Sequence, residues 1–512
     1  PSLRIADNME FGSDPNKLPE ITLRGSSSLA ESVDISDFKG NYQKNPNQPL
    51  FLLDGFETSL ERIIDMDMNR IESVTILKDA SAKALYGSKA ANGVIVVETK
   101  RIMSGEQKVT YNGSVTITAP DLSSYNLCNA WEKLEVERLA GLYHGDQNSV
   151  DQREEYYEKL RLINDGLYTD WMSKPLQLGV GHKHNISVEL GDSKSLRSVL
   201  DFTYNNVVGV MKGSDRTNIS GSINMSYRHN NVLFRNVMSV TSNKSFNSPW
   251  GSFAEYTKLN PYWRATDSEG NLLQFASNSP HVPNPMYDAT IGTLSRETYL
   301  DFVNNFYVEY RITPSWKVTG RLGISAKRND SDDFLPANHS TFTKKMYPTD
   351  EEKSVAGSYT LETGKNNSFD ADVNMQYNIS KGKHSLFSNA GVFFSESQSR
   401  AYRNKAVGLP SNQSADITFA RQYAEGTRPT GMSSIQRSAS ILLSANYTYD
   451  NRYFADATVR YNGSSLTGSD NRWAASYSFG LGWNIHKEKF MENSSAVKEM
   501  RLRASLGVTG NE

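Results

Sequence analysis

Residues 369–380 read FDADVNMQYNIS, and nearly every second side chain in this stretch is apolar. Phe369, Val373 and Tyr377 fall on one side of an extended chain, while Asp370 and Asp372 fall on the other. Side chains of a β-strand alternate between two faces, so the stretch predicts a strand with one apolar and one polar face. It is longer than the roughly 9–11 residues with which a tilted strand crosses a bilayer.

The same alternation recurs from residue 109 onward, in about thirteen segments. Examples are residues 218–228, 300–312, 316–327, 441–449 and 475–485. Five side chains on the apolar faces are therefore expected to contact lipid: Ile223, Phe306, Val318, Val373 and Tyr447. Soluble antiparallel sheets also alternate, but their strands usually run about five or six residues.

The connections between these segments alternate in length. Short turns are predicted at 229–231, 313–315, 381–383 and 450–452. Long polar segments are predicted near 119–181, 245–297, 329–366 and 397–437. Short turns on one side and long loops on the other are typical of an outer-membrane β-barrel. The pattern therefore predicts an all-β membrane protein, an antiparallel transmembrane barrel.

Composition narrows the function. The 512 residues carry a formal net charge of −2, which argues against a nucleic-acid partner. Cys128 is the only cysteine, so no intrachain disulfide and no cysteine-based zinc site can form. No stretch approaches the ~18 apolar residues of a membrane helix.

Residues 1–100 lack the alternation and predict a small α/β unit enclosed by the barrel. Residues 49–55 predict a short buried strand that ends in a turn, and residues 71–77 and 93–99 predict two more strands. Residues 78–86 predict a short helix that Gly87 would cap at its carboxyl end.

This unit carries the most specific sequence signal in the chain. The runs PLFLLDG (49–55), IESVTILKDASA (71–82) and LYGSKAANGVI (85–95) closely resemble the plug of SusC-like (SusC/RagA) TonB-linked outer-membrane transporters. The barrel signature of that family is similar to YNGSS (461–465), GSDNRW (468–473), GWNI (482–485) and LRASLGVTGN (502–511). The plug-motif positions are Asp54, Gly55, Glu72, Lys78, Asp79, Tyr86, Gly87, Asn92 and Gly93.

The resemblance implies a plug domain over residues 1–104 and a barrel domain over residues 105–512. It implies a barrel of about 22 strands around the plug. It also implies active import of a large nutrient across the outer membrane of a Gram-negative cell, driven by the TonB-ExbB-ExbD complex. The implied partners are outer-membrane lipid, a SusD-like surface lipoprotein over the mouth, and a glycan or peptide ligand. No cofactor is implied.

A passive pore or an adhesin remains the alternative, although an open pore needs no plug. An enzyme is not expected, because the sequence holds no P-loop, HExxH or GxSxG motif and offers no catalytic residue.

No metal site is expected either. His182 and His184 share a strand face without a third ligand in view. Asp330, Asp332 and Asp333 are expected in a long, solvated loop, where a cation is the minor alternative.

Four aromatic residues between 245 and 297 are candidate ligand contacts: Trp250, Tyr262, Trp263 and Tyr287. Exposed aromatic faces can stack on the apolar faces of sugar rings. Packing of the loop on itself or on a lid protein is the favoured alternative for these residues. In the plug, Glu72, Lys78 and Asp79 are expected to form ion pairs that hold it in a polar lumen rather than ligand contacts.

The strand count leads to one further expectation. Bacterial single-chain barrels almost always have an even number of strands, whereas about thirteen are counted. We expect residues 109–118 and 501–508 each to lack one neighbouring strand, and we expect the chain to be part of a longer protein without its export signal.

Overall fold

The structure is a computed structural model of the chain. It describes residues 4–6, 15–16, 20–22, 49–66, 68–77, 92–100, 107–143, 149–191, 195–276, 282–343, 349–409, 415–466, 468, 472–491 and 498–508. The predicted helix over residues 78–86 lies outside this part of the chain.

Most of the described residues lie in strands. The strands before the large sheet are β1 (Arg4–Ala6), β2 (Glu20–Thr22), β3 (Leu50–Leu53), β4 (Phe56–Thr58), β5 (Ile71–Leu77) and β6 (Val94–Thr99). Those of the large sheet are β7 (Lys108–Thr118), β8 (Gly179–Gly191), β9 (Leu196–Val208), β10 (Asp215–His229), β11 (Val232–Phe246), β12 (Leu294–Arg311), β13 (Trp316–Leu335), β14 (Ser358–Lys381), β15 (His384–Val407), β16 (Gln422–Tyr423), β17 (Thr430–Tyr449), β18 (Tyr453–Ser464), β19 (Trp473–Asn484) and β20 (Arg501–Val508).

The helices are short and lie between strands. They are α1 (Leu60–Asp65), α2 (Ala130–Leu139), α3 (Ser149–Asn164), α4 (Phe253–Tyr256), α5 (Pro285–Thr290) and α6 (Asp350–Ser354), with 3-10 turns at Met68–Arg70, Ile417–Phe419 and Ile485–Lys487. None of the described helices is long and apolar enough to span a bilayer.

The large sheet is an antiparallel meander, here called the wall. Thirteen strands follow one another in chain order from β7 to β20, and the two-residue β16 pairs only with β15. Within the described residues, β7 pairs with β8 alone and β20 with β19 alone, as expected for these two segments. The strand count predicted from alternation is confirmed, because the period-2 pattern sets both the strands and their pairing register.

The short turns are also confirmed. Asn230, Asp450 and Asn451 adopt positive φ angles of 50°, 52° and 53°, and Gly382 adopts 59°. Positive φ at these positions fits the tight hairpins whose twist matches the strands, and Asn, Asp and Gly tolerate it best.

The inner face of the wall is the face that contacts the small sheet. It carries the polar half of each alternation: Asn218, Ser222, Asp301, Thr319 and Asn374 are all buried. The opposite face carries Phe306, Val373 and Tyr447, which are exposed, and Ile223 and Val318, which are half-buried. The predicted register is therefore confirmed, and lipid contact at these five side chains stays a prediction.

The long connections were predicted too long at two places. Strands continue to Leu335 and resume at Ser358, and they continue to Val407 and resume at Thr430. The prediction that Asp330, Asp332 and Asp333 lie in a loop is wrong, because all three are on β13. Strand ends that are polar on both faces lose the alternation while the backbone ladder continues.

The small sheet has the order β4-β3-β6-β5, in which β3 and β6 run parallel and the other neighbours run antiparallel. One of its faces packs Phe51, Ile95 and Val97 against Leu60 and Ile63 of α1. Predicted strands at 49–53, 71–77 and 93–99 are confirmed, whereas β4 and α1 were not predicted.

Candidate functional site

The small sheet meets the wall at the turn between β3 and β4. Asp54 and Gly55 have φ angles of 51° and 89°, which makes this a two-residue hairpin turn that requires positive φ twice. The Asp54 carboxylate accepts hydrogen bonds from the Thr99 backbone N–H and hydroxyl, both at 2.8 Å. Arg321 of β13 donates to the Gly55 carbonyl at 2.7 Å, and a Cβ at Gly55 would lie 2.6 Å from the same guanidinium. Glycine is needed here for its backbone and for its missing side chain.

Helix α1 supplies the second contact. Ser59 caps the helix by accepting from the Arg62 N–H at 3.3 Å. The Arg62 guanidinium donates from Nε to Oδ2 of Asp301 and from Nη2 to Oδ1, both at 2.9 Å. The two side chains are 21% and 8% exposed, so this is a bidentate and largely desolvated pair.

Two more residues of the small domain are paired in the same way. Glu61 forms ion pairs with Lys327 of β13 and with Arg216 of β10, the latter at 3.7 Å. Arg70 Nε lies 3.5 Å from Asp201 Oδ2 on β9. Together with Arg62, these contacts attach the small domain to four wall strands through complementary charges. A buried pair is costly to break one side at a time, because the remaining charge stays desolvated.

Other predicted plug positions are placed as follows. Glu72 is exposed at a bulge of β5 and makes no ion pair with a described residue, and the ion pair expected there stays a prediction. Gly93 is buried with φ 98°, and its carbonyl accepts from the Leu50 N–H at 3.0 Å. Asn92 is half-buried beside it. The predictions for Lys78, Asp79, Tyr86 and Gly87 lie outside the described residues.

Above the long-connection end of the wall, the loops build a core of their own. Tyr262 is 2% exposed and packs with Leu134 of α2, Ile163 of α3 and Tyr143. Its hydroxyl donates to Glu137 Oε1 at 2.6 Å, and the Tyr143 hydroxyl donates to Oε2 at 2.5 Å. In this structure Tyr262 joins two loops and presents no free face to a ligand.

The carboxylate of Glu137 is the polar centre of this core. Burial would raise its pKa, but the hydroxyls of Tyr143 and Tyr262 together with Lys159 and Lys133 hold that pKa below the usual range for glutamate. Burial and the adjacent carboxylate raise the pKa of both tyrosines. The carboxylate is therefore ionised and satisfied at neutral pH.

The remaining aromatic candidates are half-buried. Trp263 packs at the border of the Tyr262 core and of a second core around Trp171, Tyr256 and Ala276. Trp250 lies under the Lys212 ammonium, 4.8 Å from its ring centre. Tyr287 accepts a hydrogen bond from Asn338 at 3.0 Å. Their rings keep some accessible surface, so ligand contact at these three stays a prediction.

The polar groups considered for cations are engaged with protein atoms. His182 Nδ1 lies 3.2 Å from His184 Nε2, and His184 Nδ1 lies 2.6 Å from the Tyr111 hydroxyl on the outer face. Asp332 is paired with Arg296 and accepts from the Tyr359 hydroxyl at 2.8 Å. Among the described residues, no three His, Cys, Asp or Glu side chains converge on a common point.

Known proteins match both parts of the chain. The model of the TonB-dependent Receptor Plug Domain family matches residues 2–94. The chain is 24% identical to the TonB-dependent receptor SusC of Bacteroides thetaiotaomicron across 96% of its own length. By these matches the chain is similar to TonB-dependent receptors of the SusC/RagA type. Its small domain is accordingly called the plug.

Further relatives and structures agree with this assignment. The TonB-dependent receptor P26 of Formosa agariphila is 24% identical over 92% of the chain. The RagAB peptide transporter superposes on all of the chain with a TM-score of 0.77 at 20% identity, and 57% of that structure is covered. The chain spans about half the length of the curated relatives it matches, 48% of SusC and 46% of P26. TonB-dependent receptors of this type are outer-membrane β-barrel proteins, so the wall is assigned to the outer membrane.

Sequence reasoning missed the charged residues that join the plug to the wall. Glu61, Arg62 and Arg70 fall in a stretch without strand alternation and outside the quoted runs. Their partners Asp301 and Lys327 were assigned to inner faces, but as ordinary polar positions. A usable signal was present, because Ser59 is a typical helix N-cap and Glu61 and Arg62 lie in the turn that follows it.

Proposed function

We propose that this receptor takes part in TonB-dependent active import of a large nutrient ligand across the outer membrane. Residues 1–104 act as the plug domain and residues 105–512 as barrel wall. The ion pairs of Arg62 and Glu61 with Asp301, Lys327 and Arg216 carry the proposal. A plug held by charge complementarity on a polar inner face blocks free diffusion, so passage needs energy to displace it.

The cavities at that interface support displacement rather than permanent attachment. Cavities of about 450 and 430 Å³ lie between the plug and the wall, on either side of Arg321. Polar groups beside solvent can exchange protein partners for water as the plug moves. An apolar interface of the same area would have to expose its core to do so.

The proposed ligand is an oligosaccharide that first meets the loops above the wall, where Trp250, Trp263 and Tyr287 offer aromatic surface. A SusD-like surface lipoprotein is the proposed partner over this mouth, and the TonB-ExbB-ExbD complex is the proposed energy source. A peptide is the second candidate ligand, because the RagAB structure is named a peptide transporter.

Uptake of labelled ligand by cells that carry the full-length protein tests this function. Fluorescent oligosaccharide and peptide pools are offered to three strains: wild type, a strain without the receptor and a strain without TonB. We expect accumulation of one pool in the wild type alone. Accumulation that survives loss of TonB contradicts active import and favours a passive pore.

The mouth is tested separately with Trp263→Ala and the matched variant Trp131→Ala, whose ring is exposed on the outside of α2. A rise in the KM of uptake for Trp263→Ala alone supports a ligand contact. Equal KM values for both variants leave the loop aromatics with a packing role.

A further inference from the structure

A cavity between the plug and the short-turn end of the wall has an excess of positive charge. It measures about 450 Å³ and is called here the basic recess. Three carboxylates line it: Asp54, Glu98 and Glu309. Six cationic side chains line it as well: Lys100, Arg197, Arg228, Arg235, Arg311 and Arg321. Arg321 is also paired with Asp372 outside the lining, at 2.7 Å, so the six cations face four carboxylates and the excess is two positive charges.

The carboxylates of the recess are already engaged by other groups. Asp54 accepts from Thr99, as described above. Glu309 receives Arg311 at 3.0 Å, Lys317 at 3.8 Å and the Tyr307 hydroxyl at 3.0 Å. Of the six recess cations, Arg311 is therefore paired with Glu309.

Arg235 is the least compensated of the half-buried cations. Its guanidinium lies over the Tyr307 ring, 4.6 Å from the ring centre, and no described carboxylate lies within ion-pairing distance of it. The stacking holds the guanidinium against the ring, and Arg235 lines the recess. The side chains of Arg228 and Lys100 likewise form no ion pair with a described residue.

The register of the wall brings the arginines together. Ser226 of β10 lies opposite Arg197 on one side and Arg235 on the other. Arg228 lies two residues further along β10, so it is a diagonal neighbour of both. Diagonal neighbours on one face lie about 7–8 Å apart, so a single anion can reach Arg228 and Arg235 together.

We propose that the basic recess binds an anionic group of the transported ligand: a carboxylate, sulfate or phosphate. The inference rests on the proposed import function and adds to it that the ligand is acidic. Guanidinium groups match the two oxygens of such anions with paired hydrogen bonds. A volume of about 450 Å³ falls in the range of small-ligand sites. Because Arg228 and Arg311 lie next to the short turns, the recess receives the ligand on the periplasmic side of the plug contacts.

Binding to the purified full-length protein in detergent tests the proposal without TonB. The probes are an oligogalacturonide, a neutral galactose oligomer of equal length, an acidic pentapeptide and its amide counterpart, each followed by calorimetry at low salt. We expect one acidic probe to bind at least tenfold more tightly than its neutral match, and we expect its affinity to fall as salt rises. Which acidic probe binds distinguishes a sugar from a peptide as the source of the anion.

Arg235→Gln should weaken the acidic probe about tenfold, and Arg235→Lys should weaken it less, because it keeps the charge and loses the planar fork. The matched control is Arg437→Gln, which removes the same charge from an exposed pair with Glu396 outside the recess. The affinity of Arg437→Gln for the acidic probe should stay within twofold of that of the wild type. Heat-modifiable gel mobility checks that each variant is folded.

Equal affinity for acidic and neutral probes, or equal loss in the Arg235 and Arg437 variants, overturns the proposal. So does a site that binds inorganic sulfate as tightly as the acidic probe, since that is a free-anion site. If the acidic probes do not bind but TonB-dependent uptake is intact, only the proposed anion site in the recess is wrong. If the acidic probe binds but uptake continues without TonB, only the proposed active import is wrong.

Discussion

The plug and the loops above the wall are both fixed to other parts of the molecule, but by different chemistry. The plug is joined to the wall by charges from Glu61, Arg62 and Arg70, beside cavities of about 450 and 430 Å³. The loops are joined to one another by aromatic and aliphatic burial around Trp171 and Tyr262, with one ionised carboxylate at the centre. Charges that separate together can both be rehydrated, although breaking one side alone is costly, whereas an apolar core loses its burial energy when opened. The plug, which is the element proposed to move, is therefore the one held by charged contacts that water can replace.

The strongest test of the loop side is Trp171→Ala. The ring is 3% exposed, and its Nε1 donates to the Asn260 carbonyl at 2.9 Å. We expect the free energy of opening the loops to fall by about 3–5 kcal/mol, the usual cost of emptying such a site. Limited proteolysis of the loops in intact outer membranes measures it. Trp131→Ala removes an exposed ring and should change the cleavage rate little.

On the plug side, Arg62→Ala leaves the Asp301 carboxylate buried without its cation. We expect the plug to be destabilised by about 3–5 kcal/mol. Urea titration, followed by a fluorophore attached to the plug, measures this loss of plug stability. A fluorophore attached to Cys128 reports on the loops as a reference. The exposed pair Lys353 and Asp350 is the control, and Lys353→Ala should have almost no effect.

The double variant Arg62→Ala with Asp301→Leu separates the effect of the unpaired charge from that of lost packing. It removes both charges and should recover much of the lost plug stability. A double variant as unstable as Arg62→Ala alone would locate the loss in packing rather than in the unpaired charge.

A third substitution separates both interfaces from the wall behind them. Val373 lies exposed on the outer face of β14, opposite Val392. Val373→Arg should cost about 2–4 kcal/mol of barrel stability if the site is near the midplane. Urea-dependent folding into vesicles measures it, and Gln376→Arg on the inner face serves as the matched control. Equal costs at both positions would contradict the assignment of the two faces.

The smallest expected effect is a pH dependence confined to the loops. The pKa of Glu137 is lower in the folded loops than in the unfolded chain, so the folded loops bind fewer protons. This contribution is fully present above about pH 4.3 and is lost as the pH falls through the lower folded pKa. The effect is small because the protonated carboxyl keeps one hydrogen bond.

Proteolysis of the loops as a function of pH checks this contribution. Cleavage should accelerate below about pH 4, and Glu137→Gln should remove that acceleration. Persistence of the acid step in Glu137→Gln would assign it to another carboxylate.

Much of the wall followed from the sequence, because a strand that has one face in lipid and one in a polar lumen must alternate. Residues 369–380 specify their faces, and the turns at 229–231 and 450–452 are specified by Asn and Asp at positive φ. The plug turn at Asp54 and Gly55 was equally local.

The strand ends above the membrane were not specified in this way. Asp330, Asp332 and Asp333 look like a solvated loop in the sequence because both faces of that strand end are polar. Their strand conformation depends on backbone bonds to β12 and β14, which carry no side-chain signature.

The sequence by itself determined the alternating strands, their faces and their tight turns, since each depends on neighbours within a few residues. Only the tertiary structure decided that Arg62 meets Asp301, 239 positions away, and that Tyr262 is closed over Glu137. It also decided that Arg197 and Arg235 lie on either side of Ser226. These contacts join segments that share no period or motif, and they arise because packing of the plug against the wall brings charges from distant parts of the chain together.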